Sequence, residues 1–251
     1  MARSQRQKTL LIALALYWPT VFTLTHIPIP ETVRQAHFSD KSLHLLTYMI
    51  LTFLLWSVMR PFEKVHWRRP TTWCVMLAIV LYALLDEYLQ NFVSGRSPDT
   101  HDLVANTIGM LIGLTIAAFA SFWPGALIVT GATIYTLAVF TRANLTRILP
   151  VASTVLHSAT YGLFTLLWIG WMNRRSTGKA RDVKWYVKAL AGPAALLAAA
   201  KISAIVSGKQ FEGWEIISSL GGIVGAIIAV SLAQRLRPKQ TEGNTTPAIE
   251  S

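Results

Sequence analysis

A single cysteine, Cys74, excludes a disulfide framework and any thiolate metal cluster. Charge is scarce too. Only 14% of the 251 residues are charged, and twelve are acidic. Soluble domains carry about 25% charged residues, so a soluble globular chain is excluded. There is no Gly-rich phosphate loop, nucleophile elbow or metalloprotease helix motif. No basic, aromatic-laced soluble segment of the kind that grips nucleic acid is present either. The net charge of +11 therefore needs another cause.

What the chain has is apolar length. Hydrophobic residues make up 53% and mean hydropathy is +0.44. A helix needs about 20 apolar residues to cross a hydrocarbon core of ~30 Å. Eight such runs are read, at 9–25, 41–59, 71–92, 102–122, 125–141, 152–172, 184–206 and 212–234. The fold class expected is an all-α polytopic transmembrane helical bundle. The first run is expected to be an uncleaved helix, because Trp18, Pro19, His26 and Pro28 follow or interrupt it where a small-residue cleavage site would stand. The polar stretch from Lys239 to Ser251 is expected to be disordered.

Topology accounts for the positive charge. With odd loops outside, the inner side collects Arg3, Arg6, Lys8, Arg60, Lys64, Arg68 and Arg69 from the first half. It collects Arg174, Arg175, Lys179, Arg181, Lys184, Arg235, Arg237 and Lys239 from the second. The outer side holds only Arg34, Lys41, Arg96, Arg142, Arg147 and Lys209. This positive-inside bias predicts cytoplasmic termini in a bacterial inner membrane. Anionic lipids are the expected partners of those cations.

The chain also matches itself at an offset of 113 residues. Leu43-His44 aligns with Leu156-His157, Thr47-Tyr48 with Thr160-Tyr161, and Val93-Ser94-Gly95 with Val206-Ser207-Gly208. Asp102 aligns with Glu215 and Gly109 with Gly222, all without a gap. The expected organisation is a four-helix repeat at 1–122, a degenerate second repeat at 123–238, and the tail. Four helices is an even number, so both copies enter the membrane from the same side and run parallel. The second copy has lost chemistry: Asp86, Glu87, Gln90 and Asn106 become Ala199, Ala200, Ser203 and Ser219.

In the first copy the lost positions belong to a polar constellation. Charged groups cost roughly 2.5–3.5 kcal/mol at the centre of a membrane helix on insertion scales. Yet Asp40, Lys41, His44, Asp86, Glu87, Gln90, Arg96, Asp99, Asp102 and Asn106 sit inside or beside apolar runs. Lys41, His44 and Tyr48 share one helical stripe, and Asp102, Asn106, Gly109 and Gly113 share another. The glycines form a small-xxx-small pair suited to close backbone approach. Topology brings all the polar positions to the outer face. Asp40 or Asp102 can simply cap a helix, Lys41 can snorkel, and the histidines can be core residues. Read together, the carboxylates and His44 offer acid–base capacity, while Lys41 and Arg96 can clamp a phosphate or carboxylate. The spacing matches no standard metal signature, and no cofactor is expected.

Three ordered segments carry a family resemblance: Asp40-Lys41-Ser42-Leu43-His44 with Tyr48, Asp86-Glu87-Tyr88-Leu89-Gln90 with Gly95-Arg96, and Asp102 to Gly109 with Asn106 and Gly113. Over about residues 10–122 the chain resembles the VanZ-like family of bacterial membrane proteins. The resemblance implies a polytopic protein of the cell envelope. The family's namesake is linked to teicoplanin resistance, and no catalytic activity comes with the family name. The expectation is an outward polar pocket for an anionic lipid or a lipid-linked glycan headgroup. An enzyme acting on lipid phosphates, a carrier and a non-catalytic structural membrane partner stay open on these residues alone.

Overall fold

The computed structural model describes residues 5–26, 40–61, 63–94, 99–140, 150–175, 182–208 and 213–236. Among these there are eight helices and no strand: α1 (Gln5–His26), α2 (Asp40–Met59), α3 (Pro70–Gln90), α4 (Thr100–Phe119), α5 (Phe122–Phe140), α6 (Pro150–Arg175), α7 (Val183–Val206) and α8 (Gly213–Leu236). Every apolar run read from the sequence is one of these helices. The tail and Arg96 lie outside the described residues.

Five helices are long and apolar enough to cross a membrane: α2, α3, α4, α7 and α8. In α5 the apolar stretch, Phe122–Ala138, is shorter. Polar residues such as Thr20, Thr23, Thr25 and His26 dilute α1, and His157, Ser158 and Asn173 dilute α6. In hydrocarbon every backbone polar group must be satisfied internally, so long apolar runs have little choice but helix. Leu77, Leu81, Leu84 and Leu85 leave one side of α3 exposed and apolar, a surface fit for lipid.

Cross-helix contacts give the directions. Gln7 Nε2 donates to the Val58 carbonyl at 3.3 Å and Tyr17 Oη to the Thr47 carbonyl at 3.1 Å, so α1 and α2 run antiparallel. Trp18 meets the Tyr82 ring edge-on, and Thr25 reaches Asp86, so α1 and α3 run parallel. Helices α2 and α4 are parallel and nearly touch. A Cβ on Gly109 would collide with the Leu45 carbonyl oxygen, and one on Gly113 would lie 2.7 Å from the Met49 carbonyl oxygen. Both glycine positions demand the absence of a side chain, not conformational freedom.

The second half shows the same parallel contact one offset later. A Cβ on Gly222 would collide with the Ser158 carbonyl oxygen, and Ser158 Oγ donates to the Ser218 carbonyl at 2.9 Å. Helices α5 and α6 run antiparallel, with Trp123 against Gly170 and Phe164 against Gly131. The first core packs Tyr48, Met49, Phe53 and Trp56 of α2 against Met110 and Leu114 of α4, and it continues into Ala126 and Val129 of α5. A second core gathers Ile134, Tyr161, Phe164, Leu197 and Ile223.

Gly109→Ala is expected to cost about 1–3 kcal/mol through overpacking against backbone. Gly221→Ala, with nothing within 4 Å of the added Cβ, should be neutral or gain up to about 1 kcal/mol of helix propensity. Reversible unfolding in mixed detergent micelles compares the two, and equal stabilities would refute the α2–α4 backbone contact.

Candidate functional site

The polar residues of the first half do converge, at the N-terminal ends of α2 and α4 and the C-terminal ends of α1 and α3. The α2–α4 contact sets the distances. His44 stands one residue before Leu45, and Asn106 stands one turn before Gly109. His44 Nδ1 lies 3.1 Å from Asn106 Oδ1, and Nε2 lies 3.7 Å from Asp102 Oδ2. As the amide is oriented, its oxygen only accepts, so Nδ1 carries the hydrogen. Nε2 is then the nitrogen that faces the Asp102 carboxylate. His44 is 5% exposed, Asp102 6% and Asn106 0%. In so dry a setting the pair matters far more than at a surface.

A second pair forms beside it. Asp86, at the cluster end of α3, accepts from Gln90 Nε2 at 3.1 Å, one helical turn on. Its other oxygen accepts from Thr25 Oγ1 at 3.5 Å and faces His26 Nδ1 at 3.8 Å. The Tyr48 hydroxyl neighbours the same carboxylate. Glu87 turns toward the next loop and accepts from the Asp99 backbone N–H at 2.6 Å. Asp86, Asp102 and His44 lie within its electrostatic reach. Thus the three acids are coupled but held apart by different partners.

The rim differs from the expectation. The cap of α4 is Asp99, not Asp102: its side chain accepts from the His101 backbone N–H at 2.9 Å. Asp102 sits in the first turn and spends its carboxylate on His44. The His101 backbone N–H and ring hold the Asp99 carboxyl below the usual carboxylate range. Lys41 is exposed, with its ammonium 3.9 Å from Asp99. Asp40 opens α2. Of the predicted set, the structure unites Lys41, His44, Tyr48, Asp86, Glu87, Gln90, Asp102 and Asn106, and Gly109 and Gly113 make that possible.

Sequence reasoning named Asp99 without making it the cap, gave His26 and His101 no partner, and missed Thr25. Thr25 and His26 lie 61 and 60 residues from the Asp86 they serve, and no local pattern links them. For Asp99 a signal existed: Asp before a helix start is the usual N-cap type. The cluster retains unused hydrogen-bonding capacity. Asn106 Nδ2, Glu87 Oε2 and His26 Nε2 are buried with no hydrogen-bond partner among the described residues. Each is a place for a water or a ligand atom. No group of three His, Cys, Asp or Glu among the described residues is placed to hold a metal ion.

The second half is arranged otherwise. Lys201, which the sequence leaves at depth in α7, is paired there with Glu215 of α8 at 2.5 Å. Trp214 Nε1 donates to Thr154 Oγ1 at 2.9 Å. A cation-carboxylate pair thus stands near the counterpart of the acid–histidine cluster.

Removing one partner of a buried pair leaves the other unsatisfied. Asp86→Ala should therefore cost about 1–3 kcal/mol, whereas Asp86→Asn keeps an acceptor for Gln90 and should cost less. Unfolding in micelles reads the difference, and equal losses would show that the Gln90 contact contributes nothing.

The VanZ/LLP1 family model matches residues 3–121 of the chain. Neither the curated proteins nor the solved structures offer a match.

Proposed function

We propose that the chain, VanZ-like over residues 3–121 and built of helices fit for a multi-pass membrane protein, serves the bacterial cell envelope by recognising the anionic headgroup of a lipid or lipid-linked glycan at the α2–α3–α4 end. One observation carries this reading. Buried polar side chains from four helices meet at one end of the bundle, with unused donors and acceptors inside and the exposed Lys41 at the rim. Lys41 supplies the cation. His44, between Asn106 and Asp102, supplies a buried imidazole held in a fixed orientation. Asp86, clasped by Gln90, Thr25 and His26, holds the helix ends together around it. The positive-inside pattern puts this end at the outer face, where envelope glycans are handled. The 113-residue offset supports a duplication whose second copy is chiefly scaffold.

A structural reading has its own support, because His44, Asn106, Asp102, Asp86 and Gln90 bond mainly to one another. The two readings part on binding. Titration of the detergent-solubilised protein with a short-chain prenyl pyrophosphate is expected to show saturable binding. Lys41→Ala should weaken it about tenfold, equivalent to about 1.4 kcal/mol, while leaving thermal stability unchanged. His44→Gln should weaken it as well. Variants that lose stability but bind as wild type would leave the polar cluster as interhelical glue. Susceptibility of an expressing host to a teicoplanin-type glycopeptide gives a cellular readout, with the Lys41→Ala host expected to behave like a host lacking the protein.

A further inference from the structure

The opposite end of the bundle carries a different chemistry. Two adjoining cavities open among α1, α2, α5 and α6, the helices along which the two halves meet. The first, about 380 Å³, is lined by the cations Arg6, Arg60, Lys64 and Arg174. Among the described residues its one lining carboxylate is Glu63, which is already engaged by Arg60 at 3.3 Å and by Arg69. Positive charge is therefore in excess. The second cavity, about 650 Å³, is almost wholly apolar and runs past Ala13, Ile50, Leu54, Ala126, Val129 and Leu163. Arg6, Phe53, Phe122, Trp123 and Arg174 line both, so the two cavities adjoin along these side chains.

The junction is built with care for shape. The Arg6 guanidinium lies 4.0 Å from the Phe122 ring centroid, and that of Arg174 lies 5.1 Å from the Trp123 centroid. A guanidinium over an aromatic ring presents an in-plane fork of N–H groups whose geometry matches a planar or tetrahedral anion. The Trp123 ring occupies space where any Cβ on Gly170 would have to go, and Gly125 gives the same room to Phe53. Two glycines thus seat the aromatic walls that the cavities share.

We propose that this composite cavity binds one anionic phospholipid. The phosphate sits against Arg6 and Arg174, with Arg60 and Lys64 around the headgroup, and an acyl chain lies between the two halves. Charge complementarity selects the headgroup, since Arg–phosphate contacts are charge-assisted and often bidentate. The apolar volume falls within the 300–1,000 Å³ typical of ligand pockets, and an acyl chain is the ligand that fills such a space without polar partners. His44 lies on the same helix as Ser57 of the basic cavity, about 20 Å away at 1.5 Å per residue. The lipid site is therefore separate from the acid–histidine cluster. On the positive-inside reading it faces the cytoplasmic leaflet, where anionic lipids are concentrated.

Native mass spectrometry and thermal melting of the full chain in neutral detergent test this, with dioleoylphosphatidylglycerol, dioleoylphosphatidylcholine and inorganic phosphate as probes. One phosphatidylglycerol should be retained per chain and should raise the melting temperature, while phosphatidylcholine does neither. The double variant Arg6→Gln/Arg174→Gln should weaken retention tenfold or more. Ala13→Phe, which fills the apolar arm and leaves every cation in place, should do the same. Should the double variant fail to keep its helical circular dichroism, Lys64→Gln, at an exposed position, takes its place with a smaller loss. Gly221→Ala should bind as wild type. Equal retention of the two lipids would overturn the proposal. So would displacement by millimolar inorganic phosphate together with unchanged binding in Ala13→Phe, which would mark a site for a soluble anion.

Discussion

The contact on which the first half depends is the meeting of the α2 and α4 backbones at Gly109 and Gly113. Lipid tails are as apolar as leucine, so membrane helices gain little by hiding apolar surface from one another and rely on close packing and hydrogen bonds. Two glycines one turn apart let α4 lie against the carbonyls of Leu45 and Met49. That closeness then fixes the polar chemistry. His44 and Asn106 flank the contact, and a separation set by larger side chains would carry Nδ1 out of hydrogen-bond range of Oδ1. Packing and site are therefore one constraint, written in a single helical stripe: Asp102, Asn106, Gly109, Gly113.

A low dielectric explains the rest of the cluster. A buried carboxylate is tolerable only when hydrogen-bonded or paired, and Asp86 meets that condition with partners from two helices. The second half solves the same problem with fewer groups. At positions 113 residues beyond Asp86, Glu87 and Asn106 stand Ala199, Ala200 and Ser219, and Glu215 takes Lys201 as its partner. The serines left behind turn inward on their own helices, Ser219 Oγ donating to the Glu215 carbonyl at 2.7 Å. A buried histidine–carboxylate pair stands in one half, and a lysine–carboxylate pair in the other.

The helices were legible because hydrocarbon allows one answer. An apolar run of sufficient length is a helix there, and all eight runs are helices within a few residues of their expected ends. The stripe on α4 was legible for a related reason: helical periodicity is local and does not depend on neighbours. The partners of Asp86 were not legible, since Thr25 and His26 reach it only through the packing of α1 beside α3. The basic cavity escaped notice for a different reason. Arg6, Arg60, Lys64 and Arg174 read as ordinary positive-inside residues, and the topology rule explains their side of the membrane without saying which of them meet. Only the packing of α5 and α6 against α1 and α2 shows that four of those cations surround one space.

That point bears on what the positive-inside pattern means in this chain. A topological signal requires cations on one side but is indifferent to their grouping, to the aromatic rings under them and to the glycines that seat those rings. Arg6 over Phe122 and Arg174 over Trp123, with Gly170 cleared for the indole, are features that orientation alone does not call for. They draw together residues from helices α1, α5 and α6, so the cations also lie on the seam between the halves. A lipid held there would contribute to the joining of the halves as well as to charge balance, and the bundle would then be complete only in a membrane that supplies it. The acid–histidine end is built differently, because its carboxylates find hydrogen-bond and ion-pair partners within the first half. One end of α2 gathers acids and histidines from neighbouring helices, and the other gathers cations over aromatic rings.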